Sequence, residues 1–175
     1  RITAYFAPPP FELVNVTNID IAREKQADPA YGEWLERNLH THRQPGYVSV
    51  TISLKPIGGA PGDATAEQMD TVAELAENYS FDELRVTHEQ NLVLPHVKIS
   101  DLRTVYDALL EAELADGNAG LITDTITCPG LDFCSLANAR SIPIAQEITR
   151  RFADTARQRQ IGDLKIKISG CINAC

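Results

Sequence analysis

The chain has 175 residues, of which 43% are hydrophobic and 23% charged, the composition of an ordinary globular protein with room for one large or two small domains. Its formal net charge of −8, from 24 acidic and 16 basic residues, argues against nucleic acid or an anionic membrane as a partner. No apolar run approaches the roughly 20 residues of a membrane helix, and no signal peptide is recognisable. We therefore predict a cytoplasmic protein. Because Met69 is the only methionine and the last residue is Cys175, we also expect a piece cut from a longer chain.

The first 45 residues are predicted to be a lead-in or linker segment. Three consecutive prolines at 8–10 favour extended backbone. Apolar residues then recur with helical spacing at 29–39, which predicts a helix there.

Residues 46–115 begin with a strand and a helix. At 47–54 apolar residues alternate with Ser and Thr, as on a half-buried strand. Thr65 and Gln68 have the spacing of a capping box, which predicts a helix that begins there and ends near Asn78.

Two strands and a second helix follow. The strands are expected at 83–88 and 92–94, joined by a tight turn, and Ser100 and Asp101 are expected to cap the helix. The order strand, helix, strand, strand, helix is most of a ferredoxin-like split βαβ unit. The residues expected to be buried on the two helices are Met69, Val72, Ala76, Leu102, Val105, Tyr106, Leu109 and Leu110.

Residues 120–175 predict a second unit. A short strand at 121–127 leads into Cys128, and a helix is expected directly after Cys134. Pro143 begins a further helix, and a strand at 164–168 ends just before the second pair of cysteines. Both cysteine pairs therefore follow the carboxyl ends of strands, where ligands collect in α/β proteins. The apolar face of the helix at Pro143 is expected to contain Ile144, Ala145, Ile148 and Phe152.

All four cysteines lie in this second unit, as C-x5-C followed by C-x3-C: Cys128, Cys134, Cys171 and Cys175. Disulfides are one interpretation, but nothing marks the chain as secreted. Structural zinc is another, although zinc usually takes cysteines two to four residues apart. An iron–sulfur cluster tolerates wider spacing. Gly130 and Gly170 would let the backbone approach a bulky cofactor, and the helix expected after Cys134 would direct its N–H groups at an anionic cluster.

The segments TCPGLDFCSLA and SGCINAC resemble the paired cysteine motifs of the sirohaem and 4Fe-4S family of nitrite and sulfite reductases. The region from GYVSVTISL to RVTHEQNLVLPHV resembles the ferredoxin-like half-domain of the same family. The similarity covers about residues 45–175. It implies an α+β fold, with the half-domain at 46–115 followed by the start of an α/β sirohaem and 4Fe-4S domain at 120–175, truncated at Cys175.

The resemblance implies that Cys128, Cys134, Cys171 and Cys175 ligate a 4Fe-4S cluster and that Cys175 is also the axial ligand of sirohaem. It assigns no catalytic residue within this chain. Further candidate sirohaem contacts are Arg85, Thr87, Gln90, Asn91 and Lys167. The four histidines are not expected to bind metal: His40 and His42 are interpreted as surface residues, and His88 and His96 as residues without a partner.

The function implied is the six-electron reduction of sulfite to sulfide, with electrons from ferredoxin or from an NADPH-dependent flavoprotein subunit. Reduction of nitrite to ammonia by the same cofactors is the alternative. A non-catalytic 4Fe-4S electron-transfer module and a zinc-stabilised structural domain are the other hypotheses. Since much of a cationic substrate pocket would lie outside the chain, we expect these residues alone to be inactive.

Overall fold

The computed structural model describes residues 7–14, 23 and 26–174, so that Cys175 and most of the segment before residue 26 lie outside the described residues. The helices are α1 (Pro29–Arg37), α2 (Ala66–Tyr79), α3 (Leu102–Glu111), α4 (Ile142–Arg151) and α5 (Thr155–Ile161). The strands are β1 (Leu39–Thr41), β2 (Tyr47–Ile52), β3 (Arg85–Val86), β4 (Leu92–Lys98), β5 (Ile126–Thr127) and β6 (Lys167–Ile168).

The first four strands form one antiparallel sheet in the order β1-β2-β4-β3. Side chains from the sheet and from α1, α2 and α3 share a single apolar core. Trp34 of α1, Ile52 of β2, Leu94 of β4 and Val105 of α3 are all fully buried within it. Helices packed on an antiparallel sheet confirm the predicted α+β class.

The predicted capping box begins α2. The Thr65 hydroxyl accepts a hydrogen bond from the Gln68 N–H (3.2 Å), and the Gln68 side-chain oxygen accepts one from the Thr65 N–H (3.0 Å). Two of the N–H groups that a helix start leaves without partners are thereby satisfied. The helix continues to Tyr79, one residue beyond the expected end.

The return strand is longer than the sequence predicted. The predicted strand covers residues 92–94, whereas β4 runs through Pro95 to Lys98, although proline cannot donate to a ladder. The register between β2 and β4 shifts between Val48 and Val50, and the Ser49 hydroxyl donates to the Pro95 carbonyl (2.9 Å). This irregularity accommodates the missing N–H, because a bulged position does not require a regular ladder bond.

Several burial predictions for the half-domain are wrong. Met69 (42% exposed) and Leu110 (55% exposed) lie beside the core rather than in it. On α3 the adjacent Leu109 occupies the inward direction, since adjacent helix positions differ by about 100°. On α2 the buried positions are Val72, Leu75 and Ala76. The strand β2 is also not half-buried, because Thr51 on its polar face is buried, with its hydroxyl 3.0 Å from the His40 ring.

The second unit contains β5 and β6, which pair in parallel, with Ile126 opposite Lys167 and Thr127 opposite Ile168. Both strands are much shorter than the predicted 121–127 and 164–168. Helix α5, which was not predicted, begins at Thr155 and is capped by Asp154, whose carboxylate accepts from the N–H groups of Ala156 and Arg157.

The helix expected directly after Cys134 is absent, and α4 begins only at Ile142, with Pro143 in its first turn as predicted. The N–H groups of Asn138 and Ala139 donate to the Gly170 carbonyl (2.7 and 3.1 Å) instead of to carbonyls one helical turn earlier. On α4, Ile144 is 51% exposed and was wrongly assigned to the core, whereas Ala145 is buried.

In the described part of the chain, no helix has both the length and the apolar character needed to cross a bilayer.

Candidate metal centre

The carboxyl ends of β5 and β6 bring two cysteine-bearing loops together. Cys128 directly follows β5, and its N–H donates to the Ile168 carbonyl of β6 (3.1 Å). In the other direction, the N–H of Gly170 donates to the Cys128 sulfur (2.9 Å). Because Gly170 directly precedes Cys171, the first cysteine of each pair lies at the same edge of the two-stranded sheet. Both cysteine loops thus follow the carboxyl ends of paired strands, which is the arrangement that the sequence predicts.

Two glycines allow this close approach. Gly130 has φ +59°, and a Cβ there would lie 2.8 Å from the Ala139 carbonyl oxygen and 2.8 Å from the Ser141 nitrogen. A Cβ on Gly170 would lie 2.8 Å from the same carbonyl oxygen and 3.0 Å from the Gly130 Cα. Such distances are too short for any side chain, so the backbones of the two cysteine loops are in direct contact.

The remaining described cysteine, Cys134, lies in the same loop as Cys128. The Phe133 N–H donates to the Gly130 carbonyl (3.2 Å) and closes the 3₁₀ turn Gly130–Asp132, and the Cys134 N–H donates to the same carbonyl (2.9 Å). Cys128, Cys134 and Cys171 are all partly exposed free thiols. Within residues 7–14, 23 and 26–174, no three His, Cys, Asp or Glu side chains form a group that could hold one metal ion. A 4Fe-4S cluster is bound by one cysteine at each of four irons, so its ligands need not surround a single ion.

The surroundings of Cys128 favour a thiolate, the form that binds metal. The Ser141 hydroxyl lies 3.3 Å from the Cys128 sulfur, and the Gly170 N–H supplies a second hydrogen bond. These bonds, the serine first, lower the pKa of the Cys128 thiol below its usual value, against a smaller opposing effect of burial. The donors and the glycine contacts therefore fit a thiolate-bound anionic cofactor beside this loop.

Three of the candidate sirohaem contacts either interact with nearby residues or are exposed to solvent: Arg85, Thr87 and Lys167. Arg85 on β3 is largely exposed and pairs with Glu83 (2.5 Å). The Thr87 hydroxyl accepts from the N–H groups of Glu89 (3.2 Å) and Asn91 (3.1 Å), which stabilises the turn between β3 and β4. Lys167 is exposed on β6, opposite Ile126. Their roles toward a cofactor stay predictions.

Gln90 joins the turn before β4 to the strand that leads into Cys128. Its side-chain amide donates to the Thr127 carbonyl (2.8 Å), and its side-chain oxygen accepts from the Thr127 N–H (3.0 Å). The Gln90 side chain thus makes with the β5 backbone the same pair of hydrogen bonds that a neighbouring strand would make. Gln90 has φ +58°, a conformation unusual for a residue with a side chain.

Asn91 belongs to a buried polar cluster with Lys55 and Asp124 that the sequence did not reveal. The Lys55 ammonium, which has no exposed side-chain surface, donates to the Glu89 carbonyl (2.5 Å), to the Asn91 side-chain oxygen (3.1 Å) and to Asp124 (3.2 Å). The Asn91 amide also donates to Asp124 (3.0 Å). Burial lowers the pKa of Lys55, and the Asp124 carboxylate opposes that shift. The only sequence signal was a lysine directly after the strand predicted at 47–54.

Residues 40–112 match the nitrite/sulfite reductase ferredoxin-like half domain. The chain is 28% identical over 166 residues to the chloroplastic ferredoxin–nitrite reductase of Betula pendula, covering 90% of this chain and 27% of that protein. It is 30% identical to the ferredoxin–nitrite reductase of Synechococcus elongatus, with 85% of this chain and 28% of that protein covered. Sulfite reductase [ferredoxin] 1 of Mycolicibacterium paratuberculosis is also 30% identical, over 78% of this chain and 25% of that protein. Residues 40–112 therefore form a nitrite/sulfite reductase ferredoxin-like half domain, and these relatives extend the similarity to nitrite and sulfite reductases over most of the chain.

Solved structures share the fold. The NirA protein of Mycobacterium tuberculosis superposes with a TM-score of 0.62 at 24% identity, covering 79% of this chain and 25% of that chain. Dissimilatory sulfite reductase I superposes with a TM-score of 0.59 at 16% identity, covering 74% of this chain and 30% of that chain. The chain therefore spans about a quarter of the length of the curated relatives described above.

The histidines of the half-domain form a connection that sequence reasoning missed. The His42 Nε2 lies 3.0 Å from the His96 Nδ1, and the other ring nitrogen of His96, Nε2, lies 3.1 Å from a carboxylate oxygen of Glu83. The interpretation of His96 as a residue without a partner is therefore wrong. Burial lowers the pKa of His96, although Glu83 opposes that shift. This connection lies within the half-domain and includes none of the cysteines.

Exposed apolar side chains extend from both cysteine loops. Phe133 and Leu136 beside Cys134 are 79% and 70% exposed, and Ile172 after Cys171 is 96% exposed. Large apolar side chains grouped at one edge usually mark a surface that another group covers. Because this chain covers only 25–28% of the length of the relatives described above, such a rim fits contact with a cofactor or with further protein at the cysteine loops.

Proposed function

We propose that the protein to which this chain belongs reduces sulfite to sulfide in a six-electron reaction. Cys128, Cys134, Cys171 and Cys175 would ligate a 4Fe-4S cluster, and Cys175 would also be the axial ligand of sirohaem. The observation that carries this proposal is the contact between the two cysteine loops at the ends of β5 and β6, where Gly170 donates to the Cys128 sulfur. When bound, the two cofactors supply one-electron transfer and an iron that binds the oxyanion.

The chain itself would contribute binding and orientation. Gln90 and the buried cluster at Lys55 hold β5 against the half-domain, which fixes the start of the first cysteine loop. Gly130 and Gly170 keep the two loops in contact. Arg85 and Lys167 are exposed cations, and in this proposal they would neutralise carboxylates of sirohaem.

Reduction of nitrite to ammonia is the second candidate. Two of the relatives described above are named ferredoxin–nitrite reductases, and one is named a sulfite reductase. Both anions take six electrons, so the same cofactors serve either reaction. The names of these relatives also favour reduced ferredoxin over an NADPH-dependent flavoprotein as the electron donor.

The test is to purify the intact protein without oxygen and to measure iron, acid-labile sulfide, zinc and the visible spectrum. We expect iron and sulfide together with a sirohaem band, and reduction of sulfite by reduced methyl viologen. Faster turnover of nitrite would favour the second candidate. Iron and sulfide without a sirohaem band would identify an electron-transfer module, and zinc without iron would identify a structural domain.

A cysteine variant and the isolated chain complete this test. Cys171→Ser should lose most of the iron and sulfide, whereas Ser100→Ala, an exposed serine of the half-domain, should keep both. The 175-residue chain alone should not turn over sulfite, because about three quarters of the length of its relatives is missing from it. Sustained turnover by the chain alone would contradict that expectation.

A further inference from the structure

Ser141 occupies the contact between the two cysteine loops. It is 1% exposed, and its hydroxyl lies 3.3 Å from the Cys128 sulfur. A Cβ built on Gly130 would lie 2.9 Å from this hydroxyl oxygen, and a Cβ on Gly170 would lie 3.0 Å from it. The absence of side chains at both glycines is therefore what leaves room for the serine beside the sulfur.

The hydroxyl is not used in the way that its position in the fold predicts. Ser141 is the N-cap residue of α4, and a serine at an N-cap usually accepts a hydrogen bond from an N–H in the first helical turn. Here no such side-chain bond forms. The hydroxyl is directed at the sulfur of Cys128 instead.

Ligation would determine the direction of this bond. A thiolate bound to iron carries no proton, so a hydroxyl beside it can only donate. The Gly170 N–H is a second donor to the same sulfur, but it belongs to the backbone, so no side-chain truncation removes it. Ser141 is the side-chain donor to this sulfur in the described part of the chain.

We propose that the Ser141 hydroxyl donates a hydrogen bond to the Cys128 thiolate in the cluster-bound protein and thereby raises the reduction potential of the cluster. This inference rests on the proposed function, because it requires Cys128 to be a cluster ligand. The reduced cluster carries one more negative charge than the oxidised one, and a donor beside a ligand sulfur stabilises the more negative form. Ser141 is thus a positioning and tuning residue, not a ligand.

The experiment is a redox titration of the intact protein, followed by the electron paramagnetic resonance signal of the reduced cluster. Ser141→Ala removes the donor, and we expect its midpoint potential to be more negative. A tenfold change in the reduction equilibrium corresponds to about 59 mV for a one-electron couple. Ser141→Thr keeps a hydroxyl and should stay near the wild-type potential. The matched control is Ser135→Ala, an exposed serine directly after Cys134, which should leave the potential unchanged.

A second measurement uses the wild-type protein and does not depend on how the variants fold. Transfer to deuterated buffer should rapidly remove one proton coupling from the electron–nuclear double resonance spectrum of the reduced cluster, because a hydroxyl proton exchanges faster than a backbone N–H bonded to sulfur. An unchanged potential in a fully loaded Ser141→Ala protein would overturn the inference, as would the lack of a rapidly exchanging coupling. Failure of the proposed function looks different, since the wild-type protein would then contain no iron and no acid-labile sulfide.

Discussion

Lys55 has no exposed side-chain surface, and three acceptors surround its ammonium group. Replacing it with methionine keeps most of the volume but leaves the buried Asp124 carboxylate without its cation. Removing one partner of a buried ion pair usually costs about 3–5 kcal/mol. We expect a loss of that size for Lys55→Met in the free energy of unfolding of this chain, measured in urea at pH 7.

The matched control is Lys165→Met, which breaks the pair that Lys165 forms with Glu89 on the surface. Exposed pairs are worth roughly 0–1 kcal/mol, because solvent screens them. A small loss in both variants would mean that Asp124 is neutral or hydrated when Lys55 is absent. Equally large losses would mean that the surface pair is more important than its exposure indicates.

Asp28 provides a prediction about pH. Its carboxylate accepts from the Tyr31 N–H (3.1 Å) at the start of α1 and pairs with Arg103 (2.9 Å). These interactions, the backbone bond first, lower the pKa of Asp28 below its ordinary value of 3.8. A carboxyl with a lowered folded-state pKa contributes stability above that ordinary value and loses the contribution as the pH falls through the folded pKa.

Asp28→Asn keeps an N-cap acceptor but removes the titrating charge. Unfolding in urea, followed from pH 6 down to pH 2, should therefore show a shallower loss of stability below about pH 4 for the variant than for the wild type. The difference should be small in high salt, because the pair with Arg103 is partly exposed. Parallel profiles would show that Asp28 titrates alike in the folded and unfolded chain.

The backbone contact between the two cysteine loops depends on glycine at positions 130 and 170, because a Cβ at either position would lie too close to neighbouring backbone atoms. Gly130→Ala combines a positive φ with contacts of 2.8 Å to backbone atoms, whereas Gly120→Ala has φ +78° and no atom within 4 Å of the new methyl. Overpacking usually costs about 1–3 kcal/mol. We expect Gly130→Ala to exceed Gly120→Ala by that amount in the free energy of unfolding, since both share the backbone strain.

Gly170→Ala separates the two effects further, because Gly170 has no positive φ but would place its Cβ 2.8 Å from the Ala139 oxygen. Its loss should therefore come from crowding alone. If Gly120→Ala proved as costly as the other two, backbone strain rather than loop contact would be the main cause of the lost stability.

How far the sequence predicts these elements depends on how local their causes are. The capping box at Thr65 and the convergence of Cys128 with the second cysteine loop follow from neighbouring residues and from strand direction, and both are found. The turn after Cys134 depends on the distant Gly170 carbonyl. The continuation of β4 through Pro95 depends on a shift in the register of β2. Neither partner is visible in the local pattern.

The candidate site shows the same division. The cysteine spacing and the two glycines, which are local features of the sequence, are enough to indicate a cofactor loop. Ser141 and Lys55 were missed because their partners are spatial: Ser141 meets the sulfur of Cys128 across a turn, and Lys55 meets Asp124 of the second unit. A serine before a helix is ordinarily only a cap, so its sequence context indicated nothing more.

At the scale of the whole chain, buried polar bonds cross between the half-domain and the second unit. Asn91 and Lys55 bond Asp124, and Gln90 bonds Thr127 through both its donor and its acceptor. Units linked by buried hydrogen bonds should unfold together, because separating them would leave these groups without partners. We therefore expect a single cooperative transition in urea.

The test compares two signals. The chain's single tryptophan, Trp34, lies on α1 and is buried in the apolar core that α1 shares with the half-domain, so its fluorescence reports that core. Far-ultraviolet circular dichroism also reports α4 and α5. Their midpoints should coincide. Asn91→Ala should shift both to lower urea, by about 1–3 kcal/mol in unfolding free energy, and the exposed Asn78→Ala should shift neither. Separate midpoints in the wild type would show two independent units.

The parallel pair β5 and β6 is only two residues long on each side, so few backbone bonds hold the ends of the segment between Cys128 and Cys171. If the proposed cluster joins these ends, it acts as a covalent crosslink. By the chain-entropy rule for disulfides, a crosslink over a loop of about 40 residues adds on the order of 4 kcal/mol to the free energy of unfolding. Loss of iron should then increase brief local opening of this segment under native conditions, without dividing the single transition in which the whole chain unfolds in urea. Brief trypsin digestion would cut at Arg140, Arg150 or Arg151 while the half-domain stays intact, which makes proteolysis a simple measure of cofactor occupancy.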